Sequence, residues 1–211
     1  MDEALIQNIV TEITEHAALG GVLYLASGGS SMPITIAVIN SLAPEVRSKL
    51  TFTLTDERYG KVGHADSNWR MLLSGGLNLA GVTSLPVLSG AAPSIEATAT
   101  LFGDRLMKLF EKKPYVFALF GVGADSHIAG ILPESPAAKE EVAPVVAYHA
   151  GEYERLTITP QIFRKIDSAY VYARGASKQT AIEGLSASLE YISFPNQLVK
   201  WCGHYVVSFN L

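Results

Sequence analysis

The sequence predicts an α/β fold built on a mostly parallel sheet with helices on both faces. Three observations predict it. Helix-like and strand-like segments alternate along the chain, and runs such as 22–26 and 115–120 are continuously apolar. Strand-like segments also run into polar clusters, at 27–31, 56–58 and 125–127, which a sheet of this kind gathers at its carboxyl edge.

Taken in order, residues 2–18 place Leu5, Ile6, Ile9, Ile13 and Ala17 on one helical face and stop at Gly20-Gly21. A short strand at 22–26 enters the turn Ser27-Gly28-Gly29-Ser30-Ser31, and a helix follows over 33–42 with proline in its first turn. Residues 50–55 read as a strand entering Asp56-Glu57-Arg58, and Ser67 caps a short helix reaching 73. A strand is expected at 82–87, then a helix at 94–110 carrying Ile95, Ala99, Phe102, Leu106 and Leu109 on one face. The strand at 115–120 ends in Gly121-Val122-Gly123 and presents Asp125-Ser126-His127. Strands at 142–148, 155–159 and 169–173, a helix at 177–185 and a closing strand at 205–209 complete the pattern. No repeat or long linker divides the chain, so one domain over 1–211 is expected.

Composition removes several function classes. Charged residues make up 17% of the 211, with a net charge of −4 and no basic block, which disfavours nucleic acid as a partner. The start Met1-Asp2-Glu3 is acidic where a signal peptide is basic, and no apolar run approaches the roughly 18 residues of a membrane span. A cytoplasmic protein without membrane contact is expected. The single cysteine, Cys202, suits a reducing compartment and reads as a packing residue. No zinc-type spacing of His and Cys appears, so no metal is expected. Low charge and the lack of an apolar surface stripe favour a monomer.

The polar clusters carry the chemistry. In Ser27 to Ser31 the glycines let backbone approach an anion, and N–H groups with serine hydroxyls can donate to it at a helix start. A plain strand-to-helix turn would need the same glycines, though fewer serines. Asp56 and Arg58 close a strand, and Arg58 can clamp a phosphate or polarise a carbonyl, unless the cluster is only a solvated one. Lys178 is a further possible anion ligand, although a lone lysine is more often surface charge. Asp125 stands two residues before His127, where a carboxylate can fix an imidazole's tautomer and raise its basicity; the plainer alternative is a capped turn with a buried histidine. The segment from Gly121 has Ser126 where a dinucleotide fingerprint needs its third glycine, which argues against a nicotinamide cofactor.

As a set, Ser27-Gly28-Gly29-Ser30, Asp56-Glu57-Arg58 with Ser67-Asn68, Gly121 to Ala129 with Pro133, and Gly175-Ala176-Ser177-Lys178 resemble the 6-phosphogluconolactonase family. The glucosamine-6-phosphate deaminases are its relatives. The resemblance spans nearly the whole chain and implies a three-layer, Rossmann-like fold. It implies hydrolysis of 6-phosphoglucono-1,5-lactone in the oxidative pentose phosphate pathway, with a small phosphosugar as partner and no cofactor. Carried over by position, His127 is the general base and Asp125 its companion. Arg58 faces the phosphate or the oxyanion. Ser27, Gly28, Gly29, Ser30, Ser31, Asp56 and Lys178 hold substrate, with Arg155 as a further phosphate ligand. Ser126 replaces the family's glycine, so a positive φ there would cost on the order of 1 kcal/mol. A deaminase using Asp56 as its proton carrier, or a silent sugar-phosphate binder, are the alternatives.

Overall fold

The computed structural model, which describes residues 2–210, alternates helix and strand much as the pattern requires. Its first half runs α1 (Glu3–Leu19), β1 (Val22–Ala26), α2 (Met32–Ser41), α3 (Pro44–Arg47), β2 (Leu50–Leu54), β3 (Asp56–Arg58), α4 (Asn68–Ser74), β4 (Thr83–Leu85) and α5 (Ile95–Glu111). The second runs β5 (Tyr115–Gly121), β6 (Val145–Ala150), β7 (Tyr153–Ile158), α6 (Pro160–Phe163), β8 (Ser168–Arg174), α7 (Gln179–Glu183) and β9 (His204–Asn210).

Six strands form the main sheet in the order β4-β2-β1-β5-β8-β9, and every neighbouring pair is parallel. The chain winds outward from β1 through β2 to β4, returns to the other side of β1 at β5, and winds out again through β8 to β9. Strand order therefore reverses between β1 and β5, the place where such a sheet opens a crevice beyond its carboxyl ends. Every residue of β1 is buried, and so is the interior of β5, so the sheet is covered on both faces. Leu5, Ile9, Ile13 and Ala17 of α1, and Ala99, Phe102 and Leu106 of α5, bury the faces their spacing assigns to the core. Tyr24 of β1 and Phe117 of β5 pack in that core with ring centres 4.9 Å apart. Among the described residues no helix is long and apolar enough to cross a membrane.

Two strands expected in the main sheet lie outside it. The segments expected at 142–148 and 155–159 are β6 and β7, an antiparallel hairpin that joins β3 in a separate sheet of order β3-β7-β6. The reason is geometric. Ala150 pairs with Tyr153 across the two-residue turn Gly151-Glu152, and a parallel return would need a crossover of a dozen residues or more. Gly151 supplies the positive φ, 61°, that a tight hairpin turn takes at its first central position. Thr55 joins the two sheets: its N–H donates to Ala26 O at 2.9 Å, and its carbonyl accepts from Ile158 N at 2.9 Å. The expected helix at 177–185 is shorter, since α7 is flanked by 3-10 turns at Ala176–Lys178 and Gly184–Ser186.

Candidate active site

The crevice beside β1 and β5 holds a cleft of about 220 Å³. Ser27 to Ser30 line it from the turn after β1, Asp56 and Arg58 from β3, Arg155 from β7, and Gly121, Val122, His127, Ala129 and Gly130 from the end of β5 and its loop. Asn68 and Lys178 complete the wall. Five separate parts of the sequence thus meet at one rim, and of the residues given a catalytic or binding role above only Asp125 and Ser31 do not line the cleft.

Asp125 stands behind His127. Its Oδ1 lies 2.6 Å from His127 Nδ1 and 3.2 Å from the His127 backbone N–H. A carboxylate only accepts, so Nδ1 carries a proton, and in the neutral ring Nε2, which has no partner among the described residues, is the acceptor. Partial burial pushes the Asp125 carboxyl up, but the charge and hydrogen bonds of His127 outweigh it and hold the group below the ordinary aspartate value. Both side chains lie over the α-carbon of Gly123, where a Cβ would overlap His127 Nδ1 and Asp125 Oδ1. That position therefore has to be glycine. The loop's other oddity is Ser126, at φ +70°, in the left-handed conformation that its glycine-like position suggested.

The loop is tied down from outside. The carbonyl of Ser126 accepts from Asn196 N at 2.9 Å, that of Ala129 from the Thr157 hydroxyl, and that of Gly130 from the Tyr148 hydroxyl at 2.5 Å. Gly130, at φ +73°, packs so closely on Asp56 that an added Cβ would lie 2.6 Å from the Asp56 Cβ.

Strand alternation divides the acidic pair of β3. Asp56 and Arg58 share a face and reach the cleft, while Glu57 points the other way. Glu57 is buried, and its carboxylate accepts from Arg58 N at 2.8 Å, Asn68 N at 2.7 Å, Trp69 N at 3.0 Å and Ser67 Oγ at 2.9 Å. It anchors the first turn of α4 and so fixes Asn68, whose amide donates to Asp56 O at 3.1 Å. Asn68 Oδ1 is buried and has no partner among the described residues, and it lies against the face of Gly28 that a side chain would occupy. Burial pushes the Asp56 carboxyl up, opposed by Arg155, His127, Thr55 and Arg58.

Three cations, Arg58, Arg155 and Lys178, share the cleft, and none forms an ion pair among the described residues. The Nε atoms of both arginines are buried and without a partner among the described residues. Buried donors of this kind are costly unless something supplies an acceptor. An anion in the cleft would do so.

The serine–glycine loop turns through a 3-10 segment, Gly29–Ser31, into α2, with Gly29 at φ +75°. Ser31 corrects an expectation: it is fully buried, and its hydroxyl donates to Ser27 O at 3.2 Å and Gly28 O at 3.3 Å, closing the turn instead of facing the cleft. The Ser27 hydroxyl pairs with Thr55 Oγ1 at 2.9 Å. Cys202 is buried, and burial pushes its thiol up to about 12, as a packing residue. The contribution of Asn68 to the cleft, and those of Tyr148 and Thr157 behind it, were not read from the sequence. Only Ser67-Asn68, as part of a resembled motif, gave any signal.

The chain is similar to known proteins over most of its length. Residues 1–207 match the family model described as glucosamine-6-phosphate isomerases/6-phosphogluconolactonase. The 6-phosphogluconolactonase of Mesorhizobium japonicum is 29% identical over 87% of this chain and 80% of its own length. That of Synechocystis is 27% identical over 82% and 75%. Among solved structures, the 6-phosphogluconolactonase of Thermotoga maritima superposes with a TM-score of 0.79 at 17% identity, covering 99% of this chain and 96% of its own. That of Shewanella baltica gives 0.78 at 18% identity, covering 100% and 95%. The matched length and the shared fold place this chain in the glucosamine-6-phosphate isomerase/6-phosphogluconolactonase family.

Proposed function

We propose that the protein is a 6-phosphogluconolactonase, a lactone hydrolase that converts 6-phospho-D-glucono-1,5-lactone to 6-phosphogluconate. One observation carries the reading: a tautomer-fixed histidine with a free Nε2 opens on the same cleft as three cations without ion-pair partners. That is the equipment for activating water beside an anchored phosphate. Relatives named 6-phosphogluconolactonase that match most of the chain support it.

In this reading Arg58, Arg155 and Lys178 take the phosphate, helped by the backbone of Gly28 to Ser30 at the start of α2. Asp56 and Asn68 face the sugar hydroxyls. Nε2 of His127 removes a proton from water, whose oxygen adds to the lactone carbonyl. Asp125 stabilises the imidazolium that forms. Collapse of the tetrahedral intermediate breaks the bond from the carbonyl carbon to the ring oxygen, which takes the proton back from Nε2. A δ-lactone hydrolyses readily unaided, so one placed base and some charge stabilisation suffice and no covalent nucleophile is required. The enzyme then acts as one cytoplasmic domain, as a monomer, on a diffusible phosphosugar.

The test is lactone hydrolysis against the spontaneous rate, with the lactone generated in place by glucose-6-phosphate dehydrogenase. A lactonase accelerates the reaction, and substitution of His127 by alanine removes the acceleration. A native rate equal to the spontaneous one rejects the proposal.

A further inference from the structure

Arg58 and Arg155 are direct cross-strand partners in the β3–β7 pair, on one face of the smaller sheet. Two like charges at such a position repel and destabilise a sheet unless something nearby offsets them. No carboxylate forms an ion pair with either among the described residues, and the Asp56 carboxyl on the same face attracts both from a longer distance. Tyr153 sits two residues before Arg155 on β7, on the same face and diagonal to Arg58. Its ring centre lies 4.9 Å from the Arg58 guanidinium carbon and 5.5 Å from that of Arg155. Both distances fall within the range in which a ring's negative face attracts a cation.

One half-buried ring thus serves two guanidiniums. Hydrogen bonds constrain the arginines little: Arg58 Nη1 donates to Asp66 O at 3.2 Å, and both Nε atoms have no acceptor among the described residues. Without the ring, only the bond to Asp66 O and the packing around the buried Nε atoms would hold the two side chains in place.

We infer that Tyr153 is a positioning residue that holds Arg58 and Arg155 together for a two-arginine grip on the substrate phosphate. The inference rests on the reading that these arginines bind phosphate. The ring lines no part of the cleft, so it acts through the arginines and on binding rather than on the chemical step. Its hydroxyl has no part in this, and phenylalanine should serve as well.

The experiment is calorimetric titration of 6-phosphogluconate into the native protein, Tyr153→Leu, Tyr153→Phe, the double variant Arg58→Met/Arg155→Met, and that double variant carrying Tyr153→Leu. Two weak cation–ring contacts convert to roughly a 5- to 10-fold weaker Kd for Tyr153→Leu. Tyr153→Phe should stay within about 2-fold of native, and Tyr153→Leu should change nothing once both arginines are methionine. kcat for lactone hydrolysis should also stay within about 2-fold in Tyr153→Leu, because the base is untouched. Native affinity in Tyr153→Leu beside weakened arginine variants overturns this inference and leaves the phosphate reading standing. Equal losses in Phe and Leu overturn it by assigning the effect to the hydroxyl. Native affinity in the arginine double variant rejects the phosphate reading itself, and this inference with it.

Discussion

Asp125 holds His127 twice, through Nδ1 at 2.6 Å and through the backbone N–H at 3.2 Å, so one carboxylate sets both the ring and the turn that carries it. Asp125→Asn offers an amide in place of an acceptor-only group and weakens the tautomer that leaves Nε2 free. We expect kcat to fall roughly 10- to 100-fold with KM nearly unchanged, as steady-state kinetics would show. A KM effect alone would mean that Asp125 serves binding.

Gly123→Ala tests the same pair from below. A methyl group there overlaps both His127 Nδ1 and Asp125 Oδ1, so the pair must move. The expected loss is about 10²-fold or more in kcat with the fold retained, read from kcat beside a thermal melt. Full activity would show that the loop adapts without displacing the base.

Ser126 pays for its left-handed φ of +70° with Cβ crowding. Ser126→Gly should stabilise the protein by up to about 1 kcal/mol, since relief of strain exceeds the extra entropy of an unfolded glycine. Thermal melts would show it as a higher Tm. A lower Tm would mean that the serine side chain makes up more than its backbone costs.

Asp56 gives a pH-dependent prediction. Burial raises its pKa in the folded protein above the unfolded value. Between those two values the native state holds more protons than the unfolded chain, so this group makes stability fall as pH rises through that window. Asp56→Asn removes the effect. The variant should match native stability near the unfolded carboxyl pKa of about 4 and exceed it as pH rises through the window between the unfolded and folded values, the gain levelling off above it. Urea titrations across that range decide the matter, and an asparagine variant less stable at neutral pH would contradict a raised Asp56 pKa.

Glu57, one residue on, is a structural counterpart. Its carboxylate receives three backbone N–H groups and the Ser67 hydroxyl. Glu57→Ala strands those buried donors and should destabilise the protein by about 3 kcal/mol, measured by urea denaturation. A change below about 0.5 kcal/mol would show that water replaces the carboxylate without loss.

Much of this site was legible before the structure. The apolar runs of β1 and β5 and the clusters after them identified the sheet's crevice, because strand burial and strand-end glycines leave local marks. Lys178 looked like a lone surface charge and gained weight only through the resembled motif, since its neighbours in the cleft come from distant strands. The smaller sheet has no local mark of its own for a different reason. The expected strands at 142–148 and 155–159 are too close in sequence for a parallel crossover, and Gly151 marks the hairpin between them. The pairing of Arg58 with Arg155 joins strands far apart in sequence, which no local pattern records. Ser31 resembled its neighbours in sequence, but the tight turn points its hydroxyl inward.

The most direct measurement is the hydrolysis rate of 6-phosphogluconolactone with the native protein and with His127→Ala, each compared with the spontaneous reaction. Acceleration by the native protein, lowered roughly 10²- to 10⁴-fold in the variant, is the result expected of a histidine base in this cleft. A native protein that leaves the spontaneous rate unchanged, or a variant as fast as the native, would contradict it.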